Sequence, residues 1–237
     1  MTTAEPLAAV LWDLDGTLMN SEPFWMGAEL RLATEFGGTW SDDDARGVVG
    51  IPIDRAAAAM RAAGVDLAVE EIVERLVSAV ASEVEAHVPW QPGALDRLVE
   101  LREAGVPCAL VTMSYPSIAD AFLRACPPDT FQAVVTGDQV SAGKPDPEAY
   151  LVAAQRLGVD IERCVVVEDS PSGIGAGLAS GASTIGVKVI VDVPPRPGLS
   201  RTDSLDKLGL VRFRALVAGE RFDDLAATEG AAVTAVG

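Results

Sequence analysis

The chain has 237 residues, with 18 lysine and arginine residues against 35 aspartate and glutamate residues, so its formal charge is −17. Hydrophobic residues make up 49% of the chain, which excludes an intrinsically disordered protein. Nucleic acids and anionic lipid surfaces are bound by clustered lysine and arginine, and the sequence contains no such cluster. The composition therefore argues against nucleic acid and membrane as partners.

The amino-terminal segment and the cysteines indicate the compartment. Met1–Ala9 lacks the basic start and the longer apolar core of a secretory signal. No apolar run approaches the roughly 20 residues that span a bilayer. The three cysteines are an odd number without metal-ligand spacing. We expect a soluble, cytoplasmic protein.

Short apolar runs along the chain are typical of buried parallel strands. They are Ala8–Leu14, Val106–Thr112, Ala133–Thr136, Cys164–Glu168 and Ser183–Val187. From residue 93 onward they alternate with helical patterns at about 93–104, 116–125, 146–157 and 172–180. This alternation predicts an α/β fold with a Rossmann-like, doubly wound parallel sheet.

The first two predicted strands are separated by a long segment that contains only helical patterns. These run from about Glu22 to Phe36, Asp54 to Ala63 and Val69 to Ala86. Because a crossover between parallel strands needs only about a dozen residues or more, the excess predicts an inserted domain. We predict an all-helical cap domain at residues 21–89, carried by a core domain of residues 1–20 and 90–237. Its two tethers form a plausible hinge.

Polar residues interrupt the apolar pattern at or after the ends of four strands. They are Asp13-Leu14-Asp15-Gly16-Thr17, Thr112-Met113-Ser114, Lys144-Pro145 and Glu168-Asp169-Ser170. A single aspartate after a strand is often only a helix cap, but an ordered set of four is not explained by capping. In an open α/β sheet, ligands bind at the carboxyl ends of the strands, so we expect these groups to converge.

Converging carboxylates repel one another unless a cation lies among them, and oxygen ligands favour Mg²⁺. A site with Mg²⁺ and a lysine suits phosphoryl transfer, in which a carboxylate can act as a covalent nucleophile. The hydroxyl of Thr112, the backbone N–H groups after it and Lys144 would hold the anion.

Residues 10–22, VLWDLDGTLMNSE, resemble the first motif of the haloacid dehalogenase superfamily. Thr112, Lys144-Pro145 and Glu168-Asp169-Ser170 stand where the second, third and fourth motifs are expected. The resemblance extends over nearly the whole chain to about residue 210. It is strongest to the β-phosphoglucomutase-like subfamily of phosphatases and mutases, which carry a helical cap.

The resemblance implies a role for each matching residue. Asp13 would be the nucleophile, and Asp15 the general acid and then the base. Thr112 and Lys144 would hold the phosphate, with Met113 and Ser114 beside them. Mg²⁺ would be bound by residues of the first and fourth motifs: Asp13, the main-chain carbonyl of Asp15, Asp169, and Glu168 directly or through water. Trp25 and Arg55 are the candidates for substrate contact in the cap; the alternatives are packing in the cap core for Trp25 and a solvated surface position for Arg55.

The sequence departs from the subfamily in two places. Asn20 replaces the usual aspartate at the first tether, and Trp25 occupies the region where mutases and several phosphatases carry histidine. The stretch Ser21–Trp25 resembles sugar- and polyol-phosphate phosphatases more than the mutase. We therefore predict a Mg²⁺-dependent phosphatase of a small phosphorylated metabolite, acting as a monomer or small homo-oligomer. A β-phosphoglucomutase-type sugar-phosphate mutase is the alternative.

Two further readings fit the sequence less well. A 2-haloacid dehalogenase needs neither a metal nor a second acid, so Asp15 and the Glu168-Asp169 pair argue against it. A phospho-accepting receiver domain has no leaving group to protonate, so the Asp13/Asp15 spacing and the inserted segment argue against that.

Overall fold

The computed structural model describes residues 7–226, and its centre is a six-stranded parallel sheet. The strands are β1 (Ala9–Trp12), β2 (Cys108–Val111), β3 (Ala133–Val135), β4 (Cys164–Glu168), β5 (Ser183–Val187) and β6 (Leu199–Thr202). Their order is β3-β2-β1-β4-β5-β6, and every neighbouring pair is parallel. The predicted α/β, doubly wound fold is confirmed, and β1 and β4 lie side by side at its centre.

Nine α-helices accompany the strands within the described residues. They are α1 (Glu22–Glu35), α2 (Asp42–Gly47), α3 (Ile53–Ala62), α4 (Val69–Ala86), α5 (Ala94–Glu103), α6 (Pro116–Ala125), α7 (Glu148–Leu157), α8 (Pro171–Ser180) and α9 (Leu210–Val217). The predicted helices agree with these bounds to within one or two residues. The short helix α2 begins at a capping box, in which Ser41 and Asp44 exchange hydrogen bonds.

The internal contacts divide the chain into two compact units. Within the described residues, the sheet unit comprises residues 7–19, Trp90–Ser114 and residues 126–226. The helical unit comprises Asn20–Pro89 together with Tyr115–Ala125, so α6 groups with α4, against which it packs. The domain boundaries at residues 20/21 and 89/90 stay a prediction.

The sheet buries its apolar strands completely. All residues of β1, β2, β4 and β5 are buried, as expected of a parallel sheet with helices on both faces. Tyr150 and Ala153 of α7 pack against Leu11, Val111 and Val166 in one apolar cluster of the sheet unit. This packing fixes the strand ends on which the polar motifs lie.

The strand β6 was absent from the sequence prediction. Its residues LSRT include an arginine, which is unusual in a buried strand. Arg201 is nevertheless only 2% exposed, because Asp223 accepts two hydrogen bonds from its guanidinium and the carbonyl of Val193 accepts a third. The pairing partner lies 22 residues away, so no local pattern indicates it.

No helix between residues 7 and 226 is both long and apolar enough to cross a membrane. The first six residues, on which most of the signal-peptide prediction rests, lie outside the described part of the chain.

Candidate active site

Asp13 directly follows β1, the central strand, and its position is fixed by the sheet. Its backbone N–H donates to the carbonyl of Val167 on β4, at 3.1 Å. The residue is 7% exposed, so its carboxylate is almost fully withdrawn from water. A buried carboxylate is stable only beside a cation or several hydrogen-bond donors. The structure supplies one such cation in Lys144.

Lys144 joins the first, third and fourth motifs. Its ammonium donates to Asp13 Oδ1 at 2.6 Å, to Glu168 Oε1 at 2.7 Å and to the carbonyl of Val111, the last residue of β2, at 2.9 Å. The side chain is 4% exposed. All three donors of the ammonium are therefore engaged, and they tie together the ends of β1, β2 and β4.

Glu168, the last residue of β4, is fully buried and holds its carboxylate against the first turn of α8. Oε1 accepts from Lys144 and from the Tyr150 hydroxyl, the latter at 2.8 Å. Oε2 accepts from the backbone N–H and the hydroxyl of Ser170, at 3.3 and 3.0 Å. A Cβ atom at Gly173 would lie 1.7 Å from Oε1, so only glycine leaves room for this carboxylate.

Asp169 lies against the loop of the first motif. Its Oδ1 accepts a hydrogen bond from the Thr17 hydroxyl at 3.1 Å, and the residue is 8% exposed. A Cβ atom at Gly16, whose φ is +88°, would lie 2.1 Å from Asp169 Oδ2. The glycine of the first motif is thus needed for its backbone conformation and for the close approach of this carboxylate.

The carboxylates of Asp13, Glu168 and Asp169 form one electrostatic group. Burial raises the pKa of Asp13 well above its ordinary value and Glu168 raises it further, while Lys144 acts in the opposite direction. Burial first and Glu168 second raise the pKa of Asp169 to about 7. Burial alone would lower the pKa of Lys144, but Asp13 and Glu168 outweigh that effect and raise it. Lys144 therefore stays protonated, and the carboxylates around it outnumber its single positive charge.

This excess charge suits a divalent cation. One oxygen from each of Asp13, Glu168 and Asp169 lies within 4.8 Å of the others. When ionised, these three carboxylates leave two negative charges that the single ammonium of Lys144 does not balance. The donors are all oxygen atoms, which is the ligand chemistry of Mg²⁺. The residues present therefore fit the predicted magnesium ion.

Asp15 and the second motif meet at the same edge of the sheet. The Ser114 hydroxyl donates to Asp15 Oδ2 at 2.5 Å, and the Ser114 N–H donates to the Thr112 hydroxyl at 2.9 Å. Thr112 is 1% exposed, and Met113 is 36% exposed. The structure thus brings Ser114 to Asp15, although the sequence suggested only a substrate contact for this serine. Gln91 fixes the same loop by donating to the carbonyl of Gly16 at 2.8 Å.

The two candidate residues of the cap lie in the helical unit. Trp25 is on α1 and half-buried, and Arg55 is on α3 and exposed. Their substrate contacts stay predictions that rest on the resemblance.

The sequence matches the model of a known family, that of the haloacid dehalogenase-like hydrolases, over residues 10–187. The match covers all four motifs and most of the chain. The chain belongs to the haloacid dehalogenase-like hydrolases. The family resemblance drawn from the motifs is confirmed.

Named relatives of this hydrolase act on phosphorylated sugars and polyols. It is 37% identical over 186 residues to hexitol phosphatase A of Escherichia coli, covering 78% of this chain and 84% of the relative. It is 32% identical over 181 residues to a phosphorylated carbohydrates phosphatase of Thermotoga maritima, covering 76% and 84%. The crystal structure of CbbY from Rhodobacter sphaeroides in complex with phosphate superposes with a TM-score of 0.75 at 25% identity, covering 86% and 96%.

Three residues that shape the site of this hydrolase have no individual role in the sequence prediction. Tyr150, Ser170 and Thr17 donate hydrogen bonds to the fourth-motif carboxylates. Thr17 belongs to the first motif and Ser170 to the fourth. One sequence feature does point to Tyr150: a tyrosine on the buried face of a helix needs a hydrogen-bond partner for its hydroxyl.

Proposed function

We propose that this protein is a Mg²⁺-dependent phosphatase that hydrolyses a small phosphomonoester, a sugar or polyol phosphate, through an aspartyl-phosphate intermediate. One observation supports it above the others: the ammonium of Lys144 lies 2.6 Å from the carboxylate of Asp13. Both belong to a buried cluster in which the three carboxylates of Asp13, Glu168 and Asp169 outnumber the one positive charge. The names of the relatives support the substrate class.

In the first step, a carboxylate oxygen of Asp13 attacks the phosphorus atom, and the bond from phosphorus to the substrate's alkoxide oxygen breaks. Asp15 gives its proton to that oxygen, so the alcohol leaves neutral. Lys144 balances charge on the phosphoryl oxygens, and Thr112 and the N–H groups that follow it bind the same group. The hydrogen bond from Ser114 orients Asp15 for this transfer.

In the second step, water attacks the phosphorus atom of phospho-Asp13. Asp15, now a carboxylate, takes a proton from that water, and the bond to Asp13 breaks to release inorganic phosphate. Asp13, Asp169 and the carbonyl of Asp15 would hold Mg²⁺, with Glu168 adding charge. When bound, the ion supplies electrostatic stabilisation of the phosphoryl group and of the carboxylates around it.

A panel of sugar and polyol phosphomonoesters tests the proposal, with phosphate release as the readout. We expect release that EDTA abolishes and added Mg²⁺ restores. Asp13→Asn should remove activity, whereas Asp66→Asn, the same change at an exposed residue of the helical unit, should leave it intact. No release from any phosphomonoester, or full activity in Asp13→Asn, would contradict the proposal.

The mutase is separated in the same assay. β-Glucose 1-phosphate with a trace of the bisphosphate should lose phosphate to solution if the protein is a phosphatase. Formation of the 6-phosphate without net loss of phosphate would instead identify a mutase.

A further inference from the structure

The hydroxyl group of Tyr150 is a buried polar group beside the site, and the proposed reaction does not use it. Tyr150 is 0% exposed and lies in the first turn of α7. Its ring packs in the apolar cluster of the sheet unit, and its hydroxyl donates to Glu168 Oε1 at 2.8 Å. The ring also lies 5.1 Å from the Lys144 ammonium. The tyrosine therefore contacts both members of the Lys144–Glu168 ion pair.

Lys144 has no donor to spare for an anion. Its three N–H bonds are directed at Asp13, Glu168 and the carbonyl of Val111. A phosphate group beside Asp13 can bind Lys144 only if one of these bonds is given up. The carbonyl of Val111 is a fixed part of β2, and Asp13 is the proposed nucleophile. Glu168 is the partner that can yield.

Glu168 can yield at low cost only if its own charge stays satisfied. Without Tyr150, Oε1 would accept from Lys144 alone, and the buried carboxylate would bind the ammonium more tightly. With Tyr150 in place, Oε1 keeps one donor when Lys144 turns toward an anion. An unsatisfied buried carboxylate is costly, so this second donor matters.

We propose that Tyr150 is a positioning residue, which acts through Glu168 to keep Lys144 available for the phosphate group at Asp13. The proposal rests on the proposed function, because it assigns Lys144 the task of binding phosphate. It predicts that the loss of one hydroxyl, which touches neither substrate nor nucleophile, weakens anion binding.

The test is calorimetric titration of the full-length protein with inorganic phosphate in the presence of Mg²⁺. Tyr150→Phe keeps the ring and removes the hydroxyl, and we expect the Kd for phosphate to rise about tenfold. Thr184→Val is the matched control, because it removes another fully buried hydroxyl, one that donates to the carbonyl of Ala182. Its Kd should stay within about twofold of wild type.

A double-mutant cycle with Glu168→Gln separates positioning from general loss of packing. Because the amide of that variant carries no charge for Lys144 and Tyr150 to share, Tyr150→Phe should weaken phosphate binding by no more than about twofold in that background. An equal loss in both backgrounds would overturn the proposal. So would a phosphate Kd in Tyr150→Phe that matches Thr184→Val.

These outcomes are distinct from a failure of the proposed function. If wild type binds phosphate and hydrolyses phosphomonoesters but the cycle shows no coupling, only the role of Tyr150 is wrong. If wild type neither binds phosphate nor hydrolyses any phosphomonoester, the proposed function fails and the role of Tyr150 fails with it.

Discussion

Gly173→Ala should destabilise the protein although it places a better helix former inside α8. Alanine is favoured over glycine in a helix interior by about 1 kcal/mol. The new Cβ atom would lie 1.7, 1.9 and 2.2 Å from Oε1, Cδ and Oε2 of Glu168, so the whole carboxylate has to move. That movement breaks its hydrogen bonds with Lys144, Tyr150 and Ser170.

The size of the loss follows from burial. Hydrogen bonds to a charged group contribute about 1.5–3 kcal/mol each, and removing one partner of a buried ion pair costs about 3–5 kcal/mol. Subtracting the gain in helix propensity leaves a net loss of about 3 kcal/mol in the free energy of unfolding. For a protein of this size, that corresponds to a Tm lower by roughly 6–12 °C.

Gly175→Ala is the matched control on the same helix. Its Cβ would lie 3.4 Å from the Cβ of Pro145, which is an ordinary contact. We expect it to raise the free energy of unfolding by up to about 1 kcal/mol. Urea unfolding followed by circular dichroism measures both variants. A Gly173→Ala protein as stable as wild type, or two variants that shift stability in the same direction, would refute the reasoning.

Three further variants test the buried charges. Burial raises the pKa of Glu29 to about 7 despite its hydrogen bond from Trp40, so the ionisation of this group should lower the free energy of unfolding by about 2 kcal/mol as the pH rises from 4.5 to 7. In urea unfolding, Glu29→Gln should lose about 2 kcal/mol less than wild type over this range, and an identical pH profile would count against the prediction. Without metal, Asp169→Asn should be more stable than wild type at pH 8 by on the order of 2 kcal/mol, because burial and Glu168 raise the pKa of the carboxylate that it removes to about 7. Calorimetric unfolding should show that Mg²⁺ does not stabilise this variant. Arg201→Met should cost about 1–3 kcal/mol, because it removes the hydrogen bonds that the buried guanidinium donates to Asp223 and to the carbonyl of Val193, while the Asp223 side chain, 38% exposed, can be hydrated. A cost no larger than that of replacing an exposed arginine would contradict this role of Arg201.

The sequence predicts the sheet and the four motifs because both depend on local patterns. Apolar runs mark β1, β2, β4 and β5, and the polar residues after them mark the site, since parallel strands end at one edge. Each of these signals lies within a few neighbouring residues. The placement of Asp13 and Asp169 therefore follows from the order of the strands.

Contacts between distant segments are not visible in this way. Arg201 does not mark β6, because the residue that balances its charge, Asp223, lies outside the strand. No local pattern shows why residue 173 must be glycine, because that requirement comes from Glu168 turning back over α8. In the sequence, Tyr150 is likewise only one of several residues on the apolar face of α7. Its role becomes visible only with the position of Glu168, to which its hydroxyl donates. These features depend on side-chain directions that periodicity does not encode.

The central claim is that Asp13 carries the phosphoryl group, and trapping that group tests it most directly. Asp15→Asn removes the acid of the first step as well as the base of the second, so the trap uses a phosphomonoester whose leaving group needs no proton, such as 4-nitrophenyl phosphate, and a phosphoryl group from it should stay on the enzyme. Acid quenching followed by peptide mass spectrometry should find one added phosphoryl group on Asp13, and none in Asp13→Asn. A phosphoryl group on another residue, or turnover by Asp13→Asn at the wild-type rate, would contradict the account.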